Sequence, residues 1–201
     1  MDIKKIREQA KKEISSNWQG LFVGYIIFTV VVGIVSSTII GIILIGPLAV
    51  GLASYMIKLT RKEKYQAEDL LDGFKKCFEN SLVSGILVGL YTFLWSLLFI
   101  IPGIIKAIAY SMTYYIQVDN PEMKASEAIS KSQELMMGHK MEYFKLMLGF
   151  IGWILLSILT FGILYVLYVG PYIESAKVNF YQKLVGKSSV SIELDFDPNK
   201  Y

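Results

Sequence analysis

Cysteine and histidine are almost absent from this sequence, which has one of each, Cys77 and His139. A single cysteine excludes both an internal disulfide and a cysteine metal cluster. Because Cys77 flanks a lysine-rich segment, we expect it to be a reduced cytoplasmic thiol. Charged residues are also scarce, at 18% of the chain against about 25% in soluble domains. The net charge of +3 is small, and we expect no nucleic-acid partner.

The motifs of common enzyme and cofactor sites are missing too. The sequence contains no P-loop, dinucleotide-binding fingerprint, zinc motif or serine-nucleophile elbow. Catalysis by His139 would need an acid or nucleophile held against it, and nothing in the sequence fixes Ser132, Glu134 or Glu142 there. We therefore interpret His139 as a surface histidine. We expect a non-enzymatic protein with no catalytic residue, no cofactor and no metal site.

Apolar residues, in contrast, make up 54% of the chain. Three long apolar stretches alternate with four charged blocks, and the mean hydropathy is +0.48. This division excludes one large soluble core and predicts an all-α integral membrane protein. We expect a single helical membrane domain over residues 1–185, followed by a polar and loosely held C-terminal tail over 186–201.

The stretch from Leu82 to Val118 is the clearest membrane segment. It has 37 residues, only Lys106 among them is charged, and Pro102-Gly103 lies near its middle. One spanning helix needs about 20 apolar residues. Proline and glycine favour a chain reversal, so we predict two spanning helices joined by a short turn at Pro102-Gly103.

The other two apolar blocks are predicted to fold back in the same way. As one helix, Gly20 to Leu59 would measure about 60 Å, about twice the hydrocarbon thickness. Its turn is expected near Ser36-Ser37-Thr38, in which case Gly46-Pro47 kinks the second helix. Alternatively, the turn is at Gly46-Pro47. In the last block Gly162 marks a turn and Gly170-Pro171 interrupts the second helix. The prediction is six transmembrane helices in three hairpins, at 20–59, 81–118 and 146–185, with candidate helix breaks at Pro47, Pro102 and Pro171.

Amphipathic segments at 1–19, 60–80 and 119–145 precede the three hairpins. In the first segment, apolar residues from Ile3 to Leu21 recur every three or four positions, and five basic residues occupy much of the remainder. Such a helix suits a membrane surface, with its apolar side in the acyl boundary and its lysines near anionic head groups. A basic start is also typical of a signal peptide, but this apolar run is much too long for one, and we expect retention.

The distribution of Lys and Arg predicts the orientation, because cytoplasmic flanks of spanning helices are enriched in both. The basic residues number five in 1–19, six in 58–80, four in 119–145 and four from 177 onward, and the twentieth is Lys106. The three expected outer turns, near 36–38, 100–103 and 160–162, contain none. Six spans therefore place both termini and both long loops in the cytoplasm, and we expect a multi-pass protein of the cell membrane.

A set of short motifs resembles a known family. The motifs are K-E-I-S-S-N-W at 12–18, I-P-G-I-I-K at 101–106, Y-S-M at 110–112, D-N-P at 119–121, A-S-E-A-I-S-K-S at 125–132, M-G-H-K at 137–140, F-I-G-W at 150–153, V-G-P-Y at 169–172 and N-F-Y at 179–181. Together they resemble the bacterial integral membrane family catalogued as domain of unknown function 975. The resemblance implies a membrane protein, found mainly in Gram-positive bacteria, and it brings no catalytic residues to carry over.

Three charges within the apolar stretches are the candidate polar site, because charges inside a membrane are costly and often functional. Glu174 and Lys177 are three residues apart on one face of the last predicted helix. They are expected to form either an ion or proton site or a local pair that fixes helix packing. Lys106, one turn after Pro102, is expected either to extend to the outer interface or to pair with Glu174 across the bundle.

The remaining patterns allow more than one function. Tyr110, Tyr114 and Tyr115, with the tyrosines of the last helix at 165, 168 and 172, suit interfacial packing or an aromatic cage. Gly20-x-x-x-Gly24 and Gly85-x-x-x-Gly89 allow close helix contact within the chain, with a second copy or with a membrane protein partner. We expect a protein that organises anionic lipid or partner proteins. The alternative is a small transporter or channel that uses Glu174, Lys177 and Lys106, and a membrane enzyme has the weakest support.

Overall fold

The computed structural model describes residues 2–35, 39–98 and 100–186, and all secondary structure in these ranges is helical. The α-helices are α1 (Ile3–Val35), α2 (Ile39–Thr60), α3 (Asp72–Lys75), α4 (Phe78–Leu98), α5 (Ile100–Tyr110), α6 (Thr113–Asp119), α7 (Ala125–Leu135), α8 (Lys140–Leu148), α9 (Ile151–Leu159) and α10 (Gly170–Leu184). A 3-10 turn at Ala67–Leu71 precedes α3, and a π-helical turn at Tyr165–Val169 leads into α10. The prediction of an all-α protein is confirmed.

Helix α4 and the pair α5 and α6 run antiparallel and pack along their length. Lys106 lies over the ring of Trp95, 4.9 Å from its centroid, and further along the Gln117 amide donates to Ser84 Oγ at 2.8 Å. The turn predicted at Pro102-Gly103 is not found there, because both residues are part of α5, which begins at Ile100. Proline is tolerated in the first turn of a helix, where its missing N–H would have no partner.

The last two apolar helices form a second antiparallel pair, joined by a turn at 160–162. Trp153 packs on Tyr168, Phe150 on Tyr172 and Tyr143 on Phe180, with ring centroids 4.9–5.5 Å apart. Eleven of the fifteen residues of α10 are buried. Helix α10 is therefore the helix around which the core is built.

Helix α1 bends at Asn17, whose φ of −132° and ψ of 33° are not helical. Before the bend, the apolar side formed by Ile6, Ala10 and Ile14 is buried in the protein core. The interface between α1 and α10 includes the Tyr172 hydroxyl, which donates to the Arg7 carbonyl at 3.1 Å. The apolar stripe that the sequence assigns to the acyl boundary thus contacts protein, while the basic side of the same segment stays exposed.

The three prolines at the predicted breaks occupy different helical positions. Pro47 lies inside α2, which continues from Ile39 to Thr60. Pro102 is the third residue of α5, and Pro171 is the second residue of α10, directly after the π-helical turn. The turn expected at 36–38 and nearly all of the tail at 186–201 lie outside the described residues.

Exposed apolar side chains are concentrated on the later part of α1, on α4, α5 and α9 and on the turn after α9. Leu97 is 74% exposed, Leu159 77% and Phe161 97%. Among the residues that the structure describes, three stretches are long and apolar enough to cross a bilayer, Ile3–Gly33, Phe78–Leu97 and Lys140–Leu159, and Leu44–Thr60 is a shorter apolar helix. Because water-soluble monomers rarely expose apolar surface of this extent, the three long helices are compatible with a membrane protein.

Candidate functional site

A cleft of about 340 Å³ opens between α1, α2, α4, α5, α6, α8 and α10. We call it the tyrosine cleft, because four tyrosines line it beside the charged pair. Its polar lining residues are Thr92, Tyr110, Ser111, Tyr114, Tyr115, Tyr143, Glu174 and Lys177. Its apolar walls come from the side chains of α1, α2, α4 and α5. The volume falls at the lower end of the range for small-molecule sites, about 300–1,000 Å³.

The two charges of the cleft are paired with one another. Lys177 Nζ lies 2.7 Å from Glu174 Oε1, and the Tyr115 hydroxyl donates to Glu174 Oε2 at 3.1 Å. The Lys177 side chain is 26% exposed and that of Glu174 is 16% exposed. Both carboxylate oxygens therefore have a partner, while part of each charged group still faces the cleft.

The local backbone explains how Glu174 reaches this position. The π-helical turn at Tyr165–Val169 changes the register just before α10 begins, and such turns are frequent at functional sites. Gly170 follows, and a Cβ atom there would lie 2.3 Å from the ring of Tyr25. A side chain at this position would separate α1 from α10, so the glycine keeps both helices close to the cleft.

Lys106 does not join the other two predicted charges. Its ammonium lies over the Trp95 ring in the contact between α4 and α5, and it is absent from the lining of the cleft. The structure thus brings Glu174 and Lys177 together as the sequence spacing indicates, and it places Lys106 at a separate cation–π contact.

Tyr143 is the tyrosine of the cleft that the sequence does not single out. It lies in α8, within a segment that carries charged residues on both sides, and is 6% exposed. No sequence signal distinguishes it from an interfacial tyrosine, because its burial and its contact with the Phe180 ring depend on how the helices pack. Tyr110, Tyr114 and Tyr115 line the cleft, whereas Tyr168 and Tyr172 pack on each other and on nearby rings.

His139 contacts Glu142, with 2.7 Å between Nδ1 and Oε2, and its side chain is 43% exposed. Ser132 is not part of this pair. It is buried at the junction of α5 and α6, where its hydroxyl donates to the Ala109 carbonyl and accepts from the Met112 N–H. This serine therefore satisfies backbone groups that the interruption between the two helices leaves without a helical partner.

Two ion-pair clusters tie the connecting segments to α2. Arg61 binds both oxygens of Asp119 at 2.9 and 3.0 Å, and the Tyr181 hydroxyl donates to the same carboxylate at 3.0 Å. Bidentate pairs of this kind are among the stronger polar contacts. This cluster fixes the ends of α2, α6 and α10 relative to one another.

The second cluster centres on Asp72, which is 7% exposed. It accepts from Ser54 at 2.6 Å and from Lys76 at 2.8 Å, and Lys58 is 3.4 Å away. Burial disfavours the charged carboxylate, but the hydrogen bonds from Lys76 and Ser54 and the charges of Lys76 and Lys58 outweigh that effect. The pKa of Asp72 is therefore lowered from its usual value.

A basic pocket of about 280 Å³ lies between the first half of α1 and the end of α2. We call it the lysine pocket, because Lys5, Lys12 and Lys62 line it together with Glu8 and Glu13. Lys62 has a φ of +58°, in the left-handed region that costs a non-glycine residue energy. The neighbouring Thr60 hydroxyl is buried and has no partner in the described part of the chain.

Within the described residues, no group of three or more histidine, cysteine, aspartate or glutamate side chains is placed to hold a metal ion. No curated protein and no solved structure matches the chain. A family model does match, over residues 1–109 and again over 98–188, and its description is protein of unknown function DUF975. Since these two matches cover nearly the whole sequence, the chain belongs to the DUF975 family.

Proposed function

We propose that this protein is a non-enzymatic, multi-pass protein of the bacterial cell membrane that organises anionic lipids or partner proteins at its cytoplasmic face. The observation that carries the proposal is the exposure of Lys4, Lys5, Lys11 and Lys12 on a helix whose other side is buried in the core. Because Ile6, Ala10 and Ile14 hold the helix against the protein, its lysines form a fixed basic surface.

The proposed topology has six crossings: α1 after Asn17, α2, α4, α5 with α6, the end of α8 from residue 146 with α9, and the π-helical turn with α10. The exclusion of Lys and Arg from the three outer turns supports this topology. So does the exposed apolar surface, which faces acyl chains in this arrangement. Both termini and the segments at 60–80 and 119–145 then lie on the cytoplasmic side, beside the anionic leaflet.

For a basic surface beside an anionic leaflet, each lysine contributes about 1 kcal/mol to the binding free energy of anionic lipid. The lysine pocket adds a concave site where lysines from α1 and from the segment after α2 converge. Each of the four exposed lysines therefore contributes, and the attraction is expected to weaken at high salt.

The test is the enrichment of phosphatidylglycerol around the purified full chain in mixed micelles. We expect the quadruple substitution of Lys4, Lys5, Lys11 and Lys12 by glutamine to remove most of the enrichment. The same four positions changed to arginine are the matched control, because arginine keeps the charge. Equal enrichment in the glutamine and native proteins would contradict the proposal.

A second candidate function is transport, and the tyrosine cleft is the observation that favours it. The charged pair is enclosed by helices and yet partly exposed, and discontinuous helices such as the segment around Pro171 are common at transport sites. Glu174→Gln and Lys177→Ala are expected to abolish uptake or efflux in vesicles if this candidate is right. Lys106 lies outside the cleft, and its substitution is expected to leave transport unchanged.

A further inference from the structure

We propose that the tyrosine cleft binds a small zwitterion, a molecule with an ammonium group and an anionic group a few ångströms apart. The site is separate from the lysine pocket, so this proposal is independent of lipid organisation at the cytoplasmic face. The transport function proposed above would use the same cleft, and the present proposal names the class of ligand that the cleft binds. The proposal requires only that the ligand binds, not that it is moved across a membrane.

The charges of the cleft favour a ligand of zero net charge. Glu174 and Lys177 neutralise one another at 2.7 Å, and apolar side chains such as Phe28, Leu52 and Val88 form much of the wall. Adding a net charge to such surroundings costs desolvation that no opposite charge offsets. A zwitterion avoids this cost, because each of its charged groups meets the opposite charge of the pair.

The unused hydrogen-bonding capacity of the cleft also suits such a ligand. The Lys177 ammonium has three N–H donors, and Glu174 accepts one of them. The remaining donors, with the hydroxyls of Tyr110 and Tyr114, can bind an anionic group. Neither of these two hydroxyls makes a hydrogen bond within the ranges that the structure describes.

The ammonium end has a complementary environment. The Tyr115 hydroxyl donates to the Glu174 carboxylate, and Tyr143 lines the same cleft. Cations bind favourably near carboxylates and aromatic side chains. A volume of about 340 Å³ is sufficient for a molecule of amino-acid size. The same chemistry occurs in a free amino acid and in a zwitterionic lipid head group.

The experiment measures thermal stabilisation of the purified full chain. Free neutral α-amino acids are added at up to about 10 mM to protein in detergent, and in a second arm nanodiscs with and without phosphatidylethanolamine are compared. We expect stabilisation in at least one arm, and the arm that responds identifies the source. Amino-acid methyl esters, which are cations, and N-acetyl amino acids, which are anions, are expected to give none at the same concentration.

Variants keep the test specific to the cleft. Tyr114→Phe removes only a hydroxyl and is expected to weaken binding about fivefold, the usual effect of one hydrogen bond. Glu174→Gln is expected to weaken it by more than about tenfold, because a charged partner is lost. Lys106→Met, which changes a lysine outside the cleft, is the matched control and is expected to bind normally.

Two results would overturn the proposal. One is the absence of stabilisation by any free amino acid and by phosphatidylethanolamine in folded native protein. The other is equal stabilisation by the charged analogues and the zwitterions. If zwitterions bind but are not transported in vesicles, the transport function is wrong and the ligand site remains. The lipid-organising function is tested separately, by the enrichment of phosphatidylglycerol.

Discussion

At the scale of single residues, sequence spacing predicted some of the polar contacts and missed others. The spacing of Glu174 and Lys177 places them on one helical face, and the structure shows them paired. Neither the Tyr115 hydroxyl on Glu174 nor the position of Lys106 over Trp95 could be predicted. Both depend on which helices are neighbours, and helical periodicity carries no information about that.

Asp72 gives a prediction at this scale, because its folded pKa is lowered from the ordinary value of 3.8. A carboxylate of this kind stabilises the fold above that value and loses its contribution as the pH falls through the lower folded pKa. We expect Asp72→Asn to destabilise the protein by about 2 kcal/mol at neutral pH, since two lysines and Ser54 lose a charged partner. The difference from native protein should shrink as the pH falls below 3.8.

The measurement is the melting temperature in detergent across this pH range. Glu68→Gln is the control, because Glu68 and its partner Lys75 are 74% and 53% exposed and exposed pairs contribute little. A constant difference between Asp72→Asn and native protein at all pH values would show that the charge of Asp72 does not stabilise the fold.

At the scale of elements, the sequence predicted where helices occur better than what their faces contact. The apolar stripes of 1–19 and 119–145 are real, since Ile6, Ala10, Ala128 and Ile129 are all buried. Periodicity shows that one side is apolar but cannot tell lipid from protein, and here the partner is protein. The junction of α5 and α6 was also missed, because it depends on Ser132 from a later helix.

The prediction at the scale of elements concerns the small-residue motif at Gly85 and Gly89, where alanine substitutions are expected to change stability differently. A Cβ atom on Gly85 would lie 2.6 Å from the Gly46 Cα, so Gly85→Ala must push α4 away from α2. We expect a loss of about 1–3 kcal/mol, which is typical of overpacking. Gly89 has no heavy atom within 4 Å of such a Cβ, and Gly89→Ala is expected to be neutral or stabilising by up to about 1 kcal/mol.

The measurement is the melting temperature of the two alanine variants in the same detergent. We expect Gly85→Ala to melt at a lower temperature than Gly89→Ala. Equal melting temperatures would mean that α2 and α4 do not approach one another closely at Gly85. A loss confined to Gly89→Ala would instead point to a contact with a second chain at that face.

At the scale of the whole molecule, two kinds of surface divide the chain. Apolar side chains are exposed on α4, α5, α9 and the later part of α1, whereas the first half of α1 exposes lysines. The sequence predicted this division, because apolar runs and basic blocks alternate along it. The ion pair of Arg61 with Asp119, which joins two basic segments, needed the structure, since the two residues are 58 positions apart in sequence.

The most direct measurement of the proposed topology is cysteine labelling in intact cells. The natural Cys77 is changed to serine, and single cysteines are then introduced as Lys64→Cys, in the segment after α2, or Phe161→Cys, at the exposed turn after α9. If the proposed six crossings are right, a membrane-impermeant maleimide labels the cysteine at 161 in intact cells and the cysteine at 64 only after permeabilisation. Labelling of the cysteine at 64 in intact cells would contradict the arrangement.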